Sequence, residues 1–94
     1  MKLKFEWDPA KAKANWKKHG VSFELASTVF RDPFAIDRID DRADYGEIRF
    51  VIVGTAEESV LLSVAYTERG DRLRLISARR ATQEEQDDYL RENE

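Results

Sequence analysis

Cysteine is absent from the chain of 94 residues, and histidine occurs once, at His19. Without thiols there is no disulfide framework, no thiolate metal site and no cysteine nucleophile. One imidazole also argues against a zinc site built on histidines. No stretch approaches the roughly 18 to 20 apolar residues that span a bilayer. The start, MKLKFEWDP, lacks the apolar segment of a signal peptide, so the expectation is a cytoplasmic protein with no membrane contact. Phosphate-binding signatures of the G-x-x-x-x-G-K-[ST] and G-x-G-x-x-G kinds are missing, as is an acidic metal loop. The run DRIDDRAD, Asp37 to Asp44, interleaves arginines and has no turn glycine, so it reads as a solvated loop and not a cation site. No metal and no cofactor are expected.

Charge and aromatics are plentiful. Charged residues make up 37% of the chain and apolar ones 41%. Two Trp, five Phe and three Tyr can anchor a core and argue against disorder. The length suits a single domain spanning residues 1–94. The net charge of −3 is unevenly laid out. Six lysines lie between Lys2 and Lys18 against Glu6 and Asp8. Five arginines lie between Arg69 and Arg80 against Asp71, and six acids follow from Glu84 to Glu94 against Arg91. A basic patch on an acidic protein points to a local anion site more than to a general nucleic-acid coat.

The local signals predict an α+β fold in the order β-α-α-β-β-β-β-α. Leu3 to Trp7 alternates as a strand. Asp8-Pro9 starts a helix, with Asp as N-cap and Pro at the first helical position. Gly20 ends that helix, and Ser22 caps the next, which carries Leu25, Ala26, Val29 and Phe30 on one face. Asp32-Pro33 stops it. FAIDRID reads as an edge strand, DDRADYGE as a polar loop, and IRFVIVG, VLLSVAYTE and RLRLISA as strands. Loops this short make the last three antiparallel neighbours. Thr82 and Glu85 form a capping box for a C-terminal helix. The expected architecture is an antiparallel sheet of four to five strands, with two N-terminal helices on one face and a C-terminal helix. Trp7 and Trp16 are expected in the core.

Alternation puts Glu47 and Arg49 on one side of their strand, and Arg72 and Arg74 on one side of theirs. Arg79 and Arg80 close the last strand, pointing to opposite faces. Guanidinium forks match phosphate geometry. Cleavage of RNA without a metal needs a base for the 2′-OH, cations for the phosphorane and an acid for the leaving oxygen. Glu47 or His19 can be the base. Arg49, Arg69, Arg79 or Arg80 can hold the phosphate, with Arg74 and Lys17 adding substrate contacts. Tyr66 can stack on a base or donate a proton. Each has a plainer reading. Glu47 and Arg49 make a surface ion pair, Tyr66 is an aromatic at the core edge, and His19 suits a helix C-terminus. His19 serves a site only if it and Lys17 face the arginine-bearing side.

The blocks FEWDPAKAKANWKKHGVSFELASTVFRDP, GEIRFVIVG and YTERGDRLRLISARRAT, followed by EEQDDY, resemble BrnT-type toxins of bacterial type II toxin–antitoxin pairs. The likeness covers nearly the whole chain. It implies a RelE-like toxin domain and an endoribonuclease that blocks translation. It also implies a cognate BrnA-type ribbon-helix-helix antitoxin, hetero-oligomeric with the toxin, which represses its own operon and is the toxin's only link to DNA. His19, Glu47, Arg49, Tyr66, Arg69, Arg79 and Arg80 fall in the matching blocks. The acidic C-terminal helix departs from the family pattern. A non-catalytic module that tunes a DNA-binding partner is the alternative.

Overall fold

The structure, a computed structural model, describes residues 3–41 and 46–94; of the expected polar loop DDRADYGE, 40–47, residues 42–45 lie outside them. Strand β1 (Lys4–Glu6) leads into helix α1 (Pro9–His19). The Asp8 carboxylate accepts the Ala10 N–H at 2.8 Å. Gly20 closes the helix at φ 67°, a left-handed conformation that costs glycine little, and its N–H reaches the Trp16 carbonyl at 2.8 Å. Ser22 then caps α2 (Phe23–Ser27) through the Leu25 N–H. This helix tightens into a 3₁₀ turn (Thr28–Arg31), where the Ser27 and Thr28 hydroxyls donate back to the Glu24 and Leu25 carbonyls. Strands β2 (Ile36–Asp40), β3 (Arg49–Thr55), β4 (Leu61–Arg69) and β5 (Arg72–Arg80) follow, and helix α3 (Gln83–Glu92) ends the order.

The five strands lie in the order β1-β5-β4-β3-β2. Strands β2 to β5 pair antiparallel, as their short connections require. Strand β1 runs parallel to β5, so the sheet is mixed and not wholly antiparallel. No short loop constrains β1, because α1 and most of the chain intervene between it and β5.

One face of the sheet carries the core. Phe23, Ala26 and Val29 pack on Ile52, Leu62, Val64, Tyr66, Leu75 and Ala78. Trp7 joins this layer half-buried, meeting Phe23 edge-on at 5.8 Å between ring centroids. Trp16 does not, contrary to expectation: it is 59% exposed. The residue that α1 turns inward is Asn15, and a step of about 100° swings Trp16 away. The Asn15 amide donates to the carbonyls of Val21 (3.0 Å) and Ala78 (2.8 Å) and accepts the Ala78 N–H (3.0 Å). Strand β1 covers β5 only at Arg72 to Arg74, so Asn15 satisfies edge groups that have no strand beside them.

A bulge interrupts the β4–β5 ladder. Tyr66 pairs with Leu75 and Ala65 with Ser77, which leaves Ile76 as the extra residue. The bulge resets the alternation of β5. Leu75 and Ala78 both face the helices, whereas Arg74, Ser77 and Arg79 all face the other way. Helix α3 docks on that other face, through Tyr89 to Thr55 and Asp32 and through Glu85 to Ser63.

Candidate active site

The face opposite the core holds the arginines. Arg49 stands on β3, Arg69 on β4, Arg72, Arg74 and Arg79 on β5, and Arg38 on β2; the register sets them on one side. They fall into groups, each with its own carboxylates. At one end Glu47 contacts Arg69 at 3.2 Å and Arg49 at 3.9 Å. Arg74 pairs with Glu6 of β1 at 2.7 Å. At the other end both Arg79 terminal nitrogens grip Glu85 of α3, at 2.7 and 3.1 Å. Beside them Arg38 meets Glu92 at 2.6 Å and Asp88 at 3.5 Å.

A cavity of about 270 Å³ opens at this second end and extends along β2 to Asp40, the cross-strand partner of Arg49. It is lined by Arg38, Asp40, Asp41, Val51, Ser63, Ala65, Ser77, Arg79 and Glu85 among others. Its polar groups converge on Glu85, which accepts from Arg79, from the Ser63 hydroxyl at 3.2 Å and from the Thr82 N–H at 2.8 Å. Burial pushes the Glu85 carboxyl up, but the hydrogen bonds from Arg79, Thr82 and Ser63 outweigh it, and its pKa lies below the usual carboxylate range. Glu85 was legible in the sequence only as the acid of a capping box. That box is present. What the sequence did not disclose is that α3 folds back far enough for the same carboxylate to clasp Arg79.

The expected site residues are not all brought together. Arg79 lines the cavity, but Glu47 and Arg49 do not. On β3, Arg49 sits four residues from Val53, the level of Ser63 and Arg79, or about 13 Å along the strand. Arg80 pairs with Leu62 and so lies on the opposite side from Arg79. Tyr66 is a correction. It does not share the arginine-bearing face; it is buried, its ring stacks on Phe50 at 5.2 Å, and its hydroxyl donates to Asp37 at 2.6 Å. Burial and then the Asp37 carboxylate push its pKa up, so it holds its proton, and no base can stack where Phe50 and Phe30 already lie. The signal was present, because Leu62, Val64 and Tyr66 step by two along an apolar face. His19 lines a separate depression with Lys11, Ala14, Asn15, Lys18, Ile76 and Ser77, along the β5 edge. Lys17 is exposed and lines neither hollow.

Among the described residues, no group of three or more His, Cys, Asp or Glu side chains is placed to hold a metal ion. None of the described helices is long and apolar enough to cross a membrane.

Fold and site together define an α+β protein whose second sheet face, on which α3 docks, carries guanidinium forks held beside carboxylates. The particular family follows from comparison with known proteins. Residues 7–85 match the family described as ribonuclease toxin, BrnT, of type II toxin-antitoxin system, and the chain belongs to that family. The crystal structure of the Brucella abortus ribonuclease toxin, BrnT, is similar in fold. It covers 87% of this chain and 100% of its own, at 24% identity and a TM-score of 0.63. No curated protein matches the chain.

Proposed function

We propose that this chain cleaves RNA by 2′-OH attack without a metal ion, and that the cavity lined by Arg79 and Glu85 is the reaction centre. The observation that carries the reading is the forked Arg79–Glu85 pair at the rim of an open cavity, in a chain of a ribonuclease toxin family. A scissile phosphate exchanges with Glu85 on the Arg79 fork. The released carboxylate loses its strongest stabilising partner and becomes a better proton acceptor. It takes the 2′-OH proton as the 2′ oxygen bonds to phosphorus. Arg79 stabilises the charge of the phosphorane. The bond to the 5′ oxygen breaks, and that oxygen takes a proton from water, leaving a 2′,3′-cyclic phosphate and a 5′-hydroxyl. Glu47, Arg49, Arg69 and Arg74 serve flanking phosphates of the strand. Glu47 is thereby moved from base to substrate contact, because it neighbours Arg69 and not the cavity.

The family implies an antitoxin partner. We infer that it is a BrnA-type ribbon-helix-helix protein, that it neutralises the toxin in the cytoplasm, and that the pair represses its own operon. Loss of RNA would stop translation. One observation favours a non-catalytic module instead: Arg38, Arg49, Arg69, Arg74 and Arg79 each already have a carboxylate neighbour. The purified protein, given RNA in EDTA, discriminates the readings. Products ending in 2′,3′-cyclic phosphate are expected. Intact RNA at high protein concentration, together with normal growth of cells expressing the chain, overturns the nuclease.

A further inference from the structure

Helix α1 is the reverse of the arginine face. Its cations, Lys11, Lys13, Lys17 and Lys18, have no carboxylate partner among the described residues, and neither has His19; no acid occurs within the helix. Amid them stands Trp16, whose ring is turned to solvent. Going round the helix, Trp16, Lys13 and Lys17 follow one another across the outer surface, and Lys18 and Lys11 come next, on the flank that borders Asn15. An exposed indole is otherwise an unfavourable use of a large apolar side chain. Set among unpaired ammonium groups, it matches the pattern that binds single strands: a ring for a base and cations for the backbone. One residue, Ser77, links the near side of this helix to the proposed reaction centre. Lys18, Lys11 and His19 line a depression of about 280 Å³ that reaches Ser77, and Ser77 also lines the Arg79 cavity.

We propose that the outer surface of α1 is a single-stranded RNA platform. On it Trp16 stacks on a base, Lys13, Lys17 and Lys18 contact phosphates, and the strand passes the β5 edge at Ser77 into the Arg79 cavity. This rests on the nuclease reading for where the strand leads, but not for the binding itself. An RNA strand is favoured over an acidic protein because one flat ring among spaced lysines suits a repeating chain of bases and phosphates, and because Ser77 links the near side of the helix to a second anion site.

The test uses the intact protein and a single-stranded RNA of twelve nucleotides with 2′-O-methyl riboses, which cannot be cleaved by 2′-OH attack. RNA should quench the tryptophan emission of the wild type, and the quench should vanish in Trp16→Ala, where half-buried Trp7 remains. Trp16→Ala should raise Kd about tenfold, the scale of one lost base stack. The combined Lys13→Ala, Lys17→Ala and Lys18→Ala variant should lower the slope of log K against log salt by about 2, since each single-strand phosphate contact contributes about 0.7. With cleavable RNA both variants should show raised KM and unchanged kcat. RNA binding equal to wild type in both variants overturns the proposal. So does loss of antitoxin binding with RNA binding intact, which would make this a protein-docking surface. A wild type that binds RNA as described but never cuts it refutes the nuclease and leaves the platform standing.

Discussion

The two faces of the sheet are built from the same strands and have opposite chemistry. One is closed by α1 and α2 over Leu62, Val64 and Leu75, all but excluded from water. The other keeps its arginines, five of them beside an acid, with Arg38 and Arg79 lining a cavity. Period-two alternation separates them along β3 and β4. Along β5 alternation alone fails. Counting by twos from Arg74 puts Arg80 on the charged face and sends Arg79 inward; the extra residue Ile76 exchanges them. One unpaired residue thus decides which arginine faces the cavity.

The largest effect that separates the faces is expected at Arg79. Arg79→Ala should lower the rate of RNA cleavage by about 10² to 10³-fold, as for loss of one donor to a charged transition state. Circular dichroism should show the fold retained. On the covered side, Asn15→Ala strips the Ala78 N–H and carbonyl of their partner. It should cost about 2 to 3 kcal/mol in a urea titration. Tyr66→Phe should cost about 1 kcal/mol for the hydroxyl bonded to Asp37, with cleavage unchanged. A large drop in its kcat would return Tyr66 to the active site and break the comparison.

The smallest effect is the pH dependence of Glu85. Its pKa is lowered on folding, so the unfolded chain takes up the proton first as pH falls. The stabilisation is present above the ordinary carboxylate value of 4.5 and is lost as pH drops through the lower folded value. Urea midpoints of wild type and Glu85→Gln should therefore differ at pH 7 and converge in acid. A difference that persists in strong acid would mean that Glu85 acts by packing and not by charge.

Much of this was legible in the chain. Asp8-Pro9, Gly20, Ser22 and the Thr82–Glu85 box act on groups within a few residues of themselves, so they mark helix ends wherever the helices later pack. The antiparallel run of β3, β4 and β5 follows from loops too short for any other path, and Arg72 and Arg74 share a side as alternation required; Glu47 precedes β3 in a bend, yet still reaches Arg49 and Arg69. The direction of β1 and the choice of Asn15 over Trp16 as the buried residue of α1 depend on partners far along the chain. The bulge at Ile76 is set by how β5 pairs with β4, and the clasp of Glu85 on Arg79, six residues apart, by α3 folding back onto the sheet. Register is set by how the core closes, not by preferences that neighbouring residues carry. The amino-acid order supplied the arginines and the acids; only packing decided which acid each arginine would hold.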